Sequence, residues 1–145
     1  MIIRHDKGYL DISKKTLVMG ILNVTPDSFF DGGKYYDIED ALNRARKMID
    51  DGADIIDVGG ESTRPNSNCV STEEEIRRVI PLIKEISKET QVPISIDTYK
   101  AEVADKAIKA GAQIINDVSG LQADKKMAKI AAAHNTPIII MHIKG

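Results

Sequence analysis

The sequence predicts an α/β fold, and within that class a (β/α)8 TIM barrel. These residues supply an N-terminal hairpin, about the first five strands and four helices of it. Three observations lead there. Apolar runs of strand length begin near Leu17 (LVMGIL), Asp54 (DIIDV), Val92 (VPISI), Gln113 (QIIND) and Thr136 (TPIIIM). They are apolar on both faces, as strands of a parallel sheet covered on both sides must be, and helical stripes separate them. Each run also ends in a polar residue: Asn23, Asp57, Asp97, Asn116 and His142. An open doubly wound sheet gathers such residues at its switch point, whereas a barrel brings every strand's carboxyl end to one mouth. Finally, Gly52–Asp57 (GADIID) is echoed by Gly111–Asn116 (GAQIIN) at an offset of 59 residues. That is about two βα units, the spacing at which barrel strands share interior layers.

The elements follow in order. MIIRHDKGYLDI reads as a short hairpin with Lys7-Gly8 at the turn. Asp37 can cap a helix whose apolar stripe is Ile38, Ala41, Leu42, Ala45, Met48 and Ile49, with Gly52 as its left-handed terminator. Ser71 and Glu74 form a capping box before Ile76, Val79, Ile80, Ile83 and Ile86; Pro81 should kink or divide that helix. A third helix is expected from about Lys100 to Gly111 and a fourth from about Ala123 to Asn135.

Composition narrows the class. The 145 residues are 42% hydrophobic and 29% charged, with 20 basic against 22 acidic side chains and a net charge of −2. These values suit a globular domain and argue against nucleic-acid or membrane-surface partners. One cysteine, Cys69, cannot make a disulfide framework or a cysteine zinc cluster. No apolar run reaches the roughly 20 residues of a membrane span, and Met1–Ile3 opens no signal peptide, so the expected location is cytoplasmic. Neither the G-x-G-x-x-G nor the G-x-x-x-x-G-K-[ST] phosphate loop occurs. Residues 1–145 are therefore read as one domain, but a partial one: a barrel takes roughly 250 residues.

The segments after the first two strands are unusual. Asn23–Gly33 (NVTPDSFFDGG) holds adjacent aromatics, two acids and a glycine pair, the makings of a substrate lid. Gly59–Asn68 (GGESTRPNSN) begins with glycines that admit a ligand close to the backbone, followed by the Thr63 hydroxyl and the planar fork of Arg64.

The run MGILNVTPDSFFDGG, followed by DIIDVGGESTRP, SIDTYKAEVA, INDVSG and MHIKG, resembles the dihydropteroate synthases from about Leu17 to Gly145. The resemblance implies a reaction: 6-hydroxymethyl-7,8-dihydropterin pyrophosphate condenses with 4-aminobenzoate, giving 7,8-dihydropteroate and pyrophosphate, a step of folate synthesis. It implies roles as well. Asn23 corresponds to the Mg2+ contact, where a neutral oxygen suits a hydrated cation also held by substrate phosphates. Asp97 and Asn116 correspond to the pterin contacts; a carboxylate can accept two adjacent ring N–H groups side by side, and an amide matches a mixed edge. Thr63 and Arg64 correspond to residues near the pyrophosphate and the incoming aminobenzoate, and Arg64 to a catalytic role in closing the site. Asp31 corresponds to an acid that stabilises positive charge on the pterin methylene. Phe29 and Pro65 would wall the aminobenzoate pocket.

Other polar residues read as structural. Asp57 would hold the second loop, Asp117 would point away from the mouth by the strand's period of two, and His134 would sit on a helix C-terminal dipole. Asn66 stands where the family carries glycine, a substitution that asparagine's tolerance of left-handed backbone accommodates. Against roughly three negative charges on pyrophosphate, Arg64 is the one cation this reading places at the mouth. The resemblance also implies a homodimer for the complete enzyme and further site residues on later strands. Two other readings follow from the same residues. One is a non-catalytic fragment with residual pterin binding, whose open strand edges would make it self-associate. The other is a methyltetrahydrofolate-binding domain of a corrinoid methyltransferase, which shares the barrel but not NVTPDSFFDGG.

Overall fold

The computed structural model describes residues 1–25, 37–62 and 69–142. An antiparallel hairpin, β1 (Ile2–His5) and β2 (Gly8–Asp11), precedes a five-stranded parallel sheet. Its strands are β3 (Met19–Asn23), β4 (Ile55–Gly59), β5 (Ile94–Asp97), β6 (Ile114–Asp117) and β7 (Ile138–Ile140), in the spatial order β3-β4-β5-β6-β7. Each strand thus neighbours the next in sequence. A doubly wound sheet reverses direction at a switch point; this one advances one way throughout, as an arc of a barrel does.

Four helices connect the strands: α1 (Ile38–Asp50), α2 (Thr72–Glu89), α3 (Ala101–Ala110) and α4 (Met127–Ala133). Local chemistry starts and stops them. The Asp37 side chain accepts from the Glu39 amide at 2.9 Å, and Gly52 follows α1 at φ +106. The Ser71 hydroxyl accepts from the Glu74 amide at 3.1 Å. The carboxylate of Glu74 turns instead to Arg77 and Arg78. α2 runs unbroken through Pro81, contrary to the expected division. Pro81 lies on the exposed face, where water can satisfy the backbone carbonyl that the missing N–H leaves free. α4 is shorter than expected at its start, because Asp124 folds residues 124–126 into a turn through the Lys126 amide. The hairpin turn is Asp6-Lys7, with Gly8 opening β2.

Alternation along the strands sorts side chains to two sides. Leu22, Ile56, Val58, Ile94, Ile96 and Ile115 face the helices and pack against Leu42, Val79, Leu82, Ile83, Ile86, Val103 and Ala107, all buried. Each large aliphatic buried there contributes about 1.5–3 kcal/mol. Asp117 is on this side too, fully buried, its carboxylate accepting from the Ser119 and Leu121 amides; it points away from the mouth as its position predicts. The hairpin is fastened beneath the sheet by Lys7, whose Nζ donates to the carbonyls of Ser87 and Thr90 at 3.2 and 3.1 Å, at the C-terminal end of α2. Gly111 closes α3 at φ +129, where a Cβ would lie 2.4 Å from the Ser87 hydroxyl.

Candidate active site

The inner side of the sheet carries the chemistry, in two rows. Register pairs Asn23 with Gly59, Gly59 with Asp97, Asp97 with Asn116 and Asn116 with Ile139, so one row crosses all five carboxyl ends. Two residues earlier lies the row Ile21, Asp57, Ser95 and Ile114. Gly59 leaves the upper row open. A Cβ on it would stand 3.2 Å from Asn23 Oδ1 and 3.4 Å from Asp97 Oδ2. The expected site residues Asn23, Asp97 and Asn116 are therefore brought together at the mouth. Phe29, Asp31, Thr63, Arg64 and Pro65 lie outside the described residues.

Asp57 forms the floor. It is fully buried and accepts from the Ser95 hydroxyl at 2.6 Å and from Asn116 Nδ2 at 3.4 and 3.3 Å. The part of the second loop it was expected to hold lies outside the described residues; among those described its partners are on β5 and β6, and it fixes the amide of Asn116. Burial pushes the Asp57 carboxyl upward, and the two donors partly offset that.

Asp97 is half-buried at the rim. It is not the N-terminal cap of α3: the Ala101 amide is capped by Asp124 at 2.8 Å and the Lys100 amide by the Thr98 hydroxyl at 3.1 Å. Among the described residues none donates a hydrogen bond to the Asp97 carboxylate. Burial first, then the charges of Asp57, Glu75, Asp117 and Glu61, push its pKa up to about 7. A carboxylate held at a strand end without a donor is arranged to receive donors from a ligand.

Behind Asp97 stands a cluster that sequence reasoning missed. Glu75 of α2 is 1% exposed; its carboxylate accepts from the Thr98 hydroxyl at 2.5 Å and from Lys100 Nζ at 2.9 Å. Lys100 Nζ also reaches Glu61 Oε2 at 3.0 Å and the Val70 carbonyl at 2.5 Å, and the Tyr99 hydroxyl donates to Glu61 Oε1 at 2.7 Å. Burial opposes the Lys100 charge, but Glu75 and Glu61 outweigh it and hold the ammonium above its usual range. Burial and the Glu61 bond push Tyr99 up to about 12. A second cation, Arg78, donates to the Gly60 carbonyl at 2.9 Å. Two cations, Lys100 and Arg78, thus stand beside the β4 end, both engaged with protein acceptors. The available signal was four consecutive hydrogen-bonding side chains, Asp97 to Lys100, directly after a buried strand.

The donor set bears on a metal. Among the described residues no three His, Cys, Asp or Glu side chains group to hold an ion. Asn23 offers an exposed neutral oxygen at the mouth, which suits a hydrated cation carried in with phosphates rather than a protein-caged one.

A family model described as pterin binding enzyme matches residues 19–145. The chain belongs to this family. Among curated pterin binding relatives, it is 62% identical to the dihydropteroate synthase of Bacillus subtilis over 97% of its own length and 50% of that protein's. Among solved structures, the dihydropteroate synthase of Clostridium difficile, determined in the presence of pteroic acid, superposes with a TM-score of 0.89 at 52% identity, covering 93% of this chain and 51% of that one. The Xanthomonas albilineans dihydropteroate synthase with 4-aminobenzoic acid gives a TM-score of 0.87 at 44% identity over 94% and 50% of the two chains. The chain spans about half the length of the relatives it matches. Its sheet is accordingly an arc of a (β/α)8 barrel, as expected. No helix among the described residues is long and apolar enough to cross a membrane.

Proposed function

We propose that this chain carries the pterin-binding side of a dihydropteroate synthase active site, and that the protein containing it joins 6-hydroxymethyl-7,8-dihydropterin pyrophosphate to 4-aminobenzoate. The supporting observation is the Asp97 carboxylate, without a donor among the described residues and level with Asn116. The pterin's 2-amino-pyrimidinone edge presents two adjacent N–H groups that Asp97 accepts side by side, while Asn116, braced by Asp57, meets the mixed edge.

In the reaction the methylene C–O bond breaks and its electron pair leaves with pyrophosphate. The dihydropterin ring delocalises the positive charge left on the methylene, so the path is dissociative. The amine nitrogen of 4-aminobenzoate then bonds to that carbon and loses a proton to solvent. The protein's contribution is positional and electrostatic. Asp97 and Asn116 hold the ring, Asp31 stabilises the methylene cation, Thr63 and Arg64 serve the pyrophosphate and aminobenzoate, and Phe29 and Pro65 wall the amine's pocket. Asn23 would hold Mg2+ together with substrate phosphates, where the ion supplies charge neutralisation for the leaving group.

The test is an assay of the intact protein with both substrates and Mg2+. Dihydropteroate and pyrophosphate appear in equal amounts if the reading holds; formation of neither contradicts it.

A further inference from the structure

Thr98 follows Asp97 and begins the turn into α3. Its hydroxyl accepts from the Lys100 amide at 3.1 Å, a turn that a solvated hydroxyl makes equally well. Here the same hydroxyl also donates to Glu75 at 2.5 Å, although Thr98 is only 4% and Glu75 1% exposed. A buried carboxylate is costly to desolvate, and this one also opposes the ionisation of Asp97. The local turn does not account for it. A third bond runs from the Thr98 amide to the Asn116 carbonyl at 3.2 Å. Thr98 thus ties the end of β5 to α2, to the start of α3 and to the β6 residue that stands level with Asp97. The Asp97 side chain has no such tie. Among the described residues none donates a hydrogen bond to its carboxylate, and a cavity of about 70 Å3, lined in part by Asp97, Thr98, Glu75 and Tyr99, lies beside it. The direction of that carboxylate is therefore set through the backbone of its neighbour.

We infer that Thr98 is a positioning residue: held by Glu75 of α2 and by the Asn116 carbonyl of β6, it aims the Asp97 carboxylate along the row it shares with Asn116 and keeps it from turning into the adjoining cavity. This rests on the reading of Asp97 and Asn116 as the pterin contacts. A merely structural threonine would support folding without changing the affinity of the folded protein. The opposite end of the same strand pair supplies the comparison. There the Gln113 side chain accepts from the Ile94 amide at 2.8 Å and donates to the Gly111 carbonyl at 2.5 Å, a buried staple of β5 to β6 far from the mouth.

The experiment is calorimetry of the intact protein with the dihydropterin pyrophosphate at about pH 8, above the Asp97 pKa of about 7, beside a melting curve for each variant. Thr98→Val keeps the shape, loses the hydroxyl and leaves Glu75 paired with Lys100 at 2.9 Å. Its affinity should fall about tenfold, since a small misplacement of a binding group is enough for that. Thr98→Ser restores the hydroxyl and should bind within about twofold of the unsubstituted protein. Gln113→Met should lower the melting temperature yet bind within about twofold. Glu75→Gln replaces a charge-assisted bond to Thr98 with a weaker neutral one; it should bind about threefold less tightly, and it decides the matter if Thr98→Val does not fold. Unchanged affinity in a folded Thr98→Val, or an equal loss in Gln113→Met, overturns the inference and leaves the pterin reading standing. If the unsubstituted protein binds no dihydropterin pyrophosphate, the pterin reading fails and the inference falls with it.

Discussion

Asn116 on β6 donates its side-chain amide to the carboxylate of Asp57 on β4, at 3.3 Å, across the intervening β5. The two residues occupy the same place in the repeated GADIID and GAQIIN segments, 59 residues apart. Alternate strands of a barrel meet inside it, and here the repeat closes on itself beneath the ligand row. The acid of the pair is buried. It orients the amide above it and adds negative charge below Asp97.

The first prediction concerns pH. Asp97 has its pKa raised to about 7 from an ordinary value near 4, so between those values its proton is retained in the fold and would be lost in an unfolded chain. Ionising it on the way to pH 7 therefore costs stability rather than adding it. A pterin that donates two N–H bonds needs the charged form. Affinity should climb about tenfold per pH unit up to about 7 and level off above it. Asp57→Asn removes one of the charges that raise Asp97, and the plateau should be reached at lower pH. Titration calorimetry with a pterin between pH 5.5 and 8.5 measures both; a flat profile in the unsubstituted protein contradicts the assignment.

A second prediction tests the spacing of the upper row. Gly59→Ala places a methyl 3.2 Å from Asn23 Oδ1 and 3.4 Å from Asp97, without forcing an unusual backbone angle. The fold should survive, with a melting temperature within a few degrees, while pterin affinity falls about tenfold because Asn23 must give way and the methyl takes up the space beside Asp97. Gly111→Ala is the contrast. It meets Ser87 at 2.4 Å from a φ of +129, far from the mouth, and should cost more than about 2 kcal/mol of stability while leaving pterin affinity per folded molecule unchanged.

How much of this was legible depends on distance along the chain. Strand ends and their facing follow from a period of two, so Asn23, Asp97 and Asn116 could be placed in one mouth, and Asp117 turned outward, from sequence alone. The Lys100 cluster could not. Its partners lie 39, 30 and 25 residues away, and a lysine at a helix start reads as solvated until the fold brings Glu61, Val70 and Glu75 around it. The bond from Asn116 to Asp57 was hidden for a related reason: the position of Asp57 gave its burial, but that partner depended on which strand lay two places along. Pro81 misled because its tolerance in a helix rests on facing water, a property of the packing.

The third prediction concerns the sheet edges. Among the described residues β3 pairs with β4 alone and β7 with β6 alone, while Val18, Ile21, Ile140 and Met141 are about half exposed. Edge strands flanked by exposed apolar side chains pair with other chains. The isolated 145-residue chain should self-associate in light scattering at about 100 μM, whereas a clean monomer there would count against open edges as an assembly surface.

Asp97 carries the central claim, and its removal tests that claim most directly. Asp97→Ala in the intact protein deletes the acceptor pair without touching the helix cap that Asp124 provides. Calorimetry with the dihydropterin pyrophosphate should show binding weakened by at least about a hundredfold, as expected for losing a two-bond, charge-assisted contact. Binding within a few fold of the unsubstituted protein, with the variant folded, would contradict the role of Asp97 and with it the proposed site.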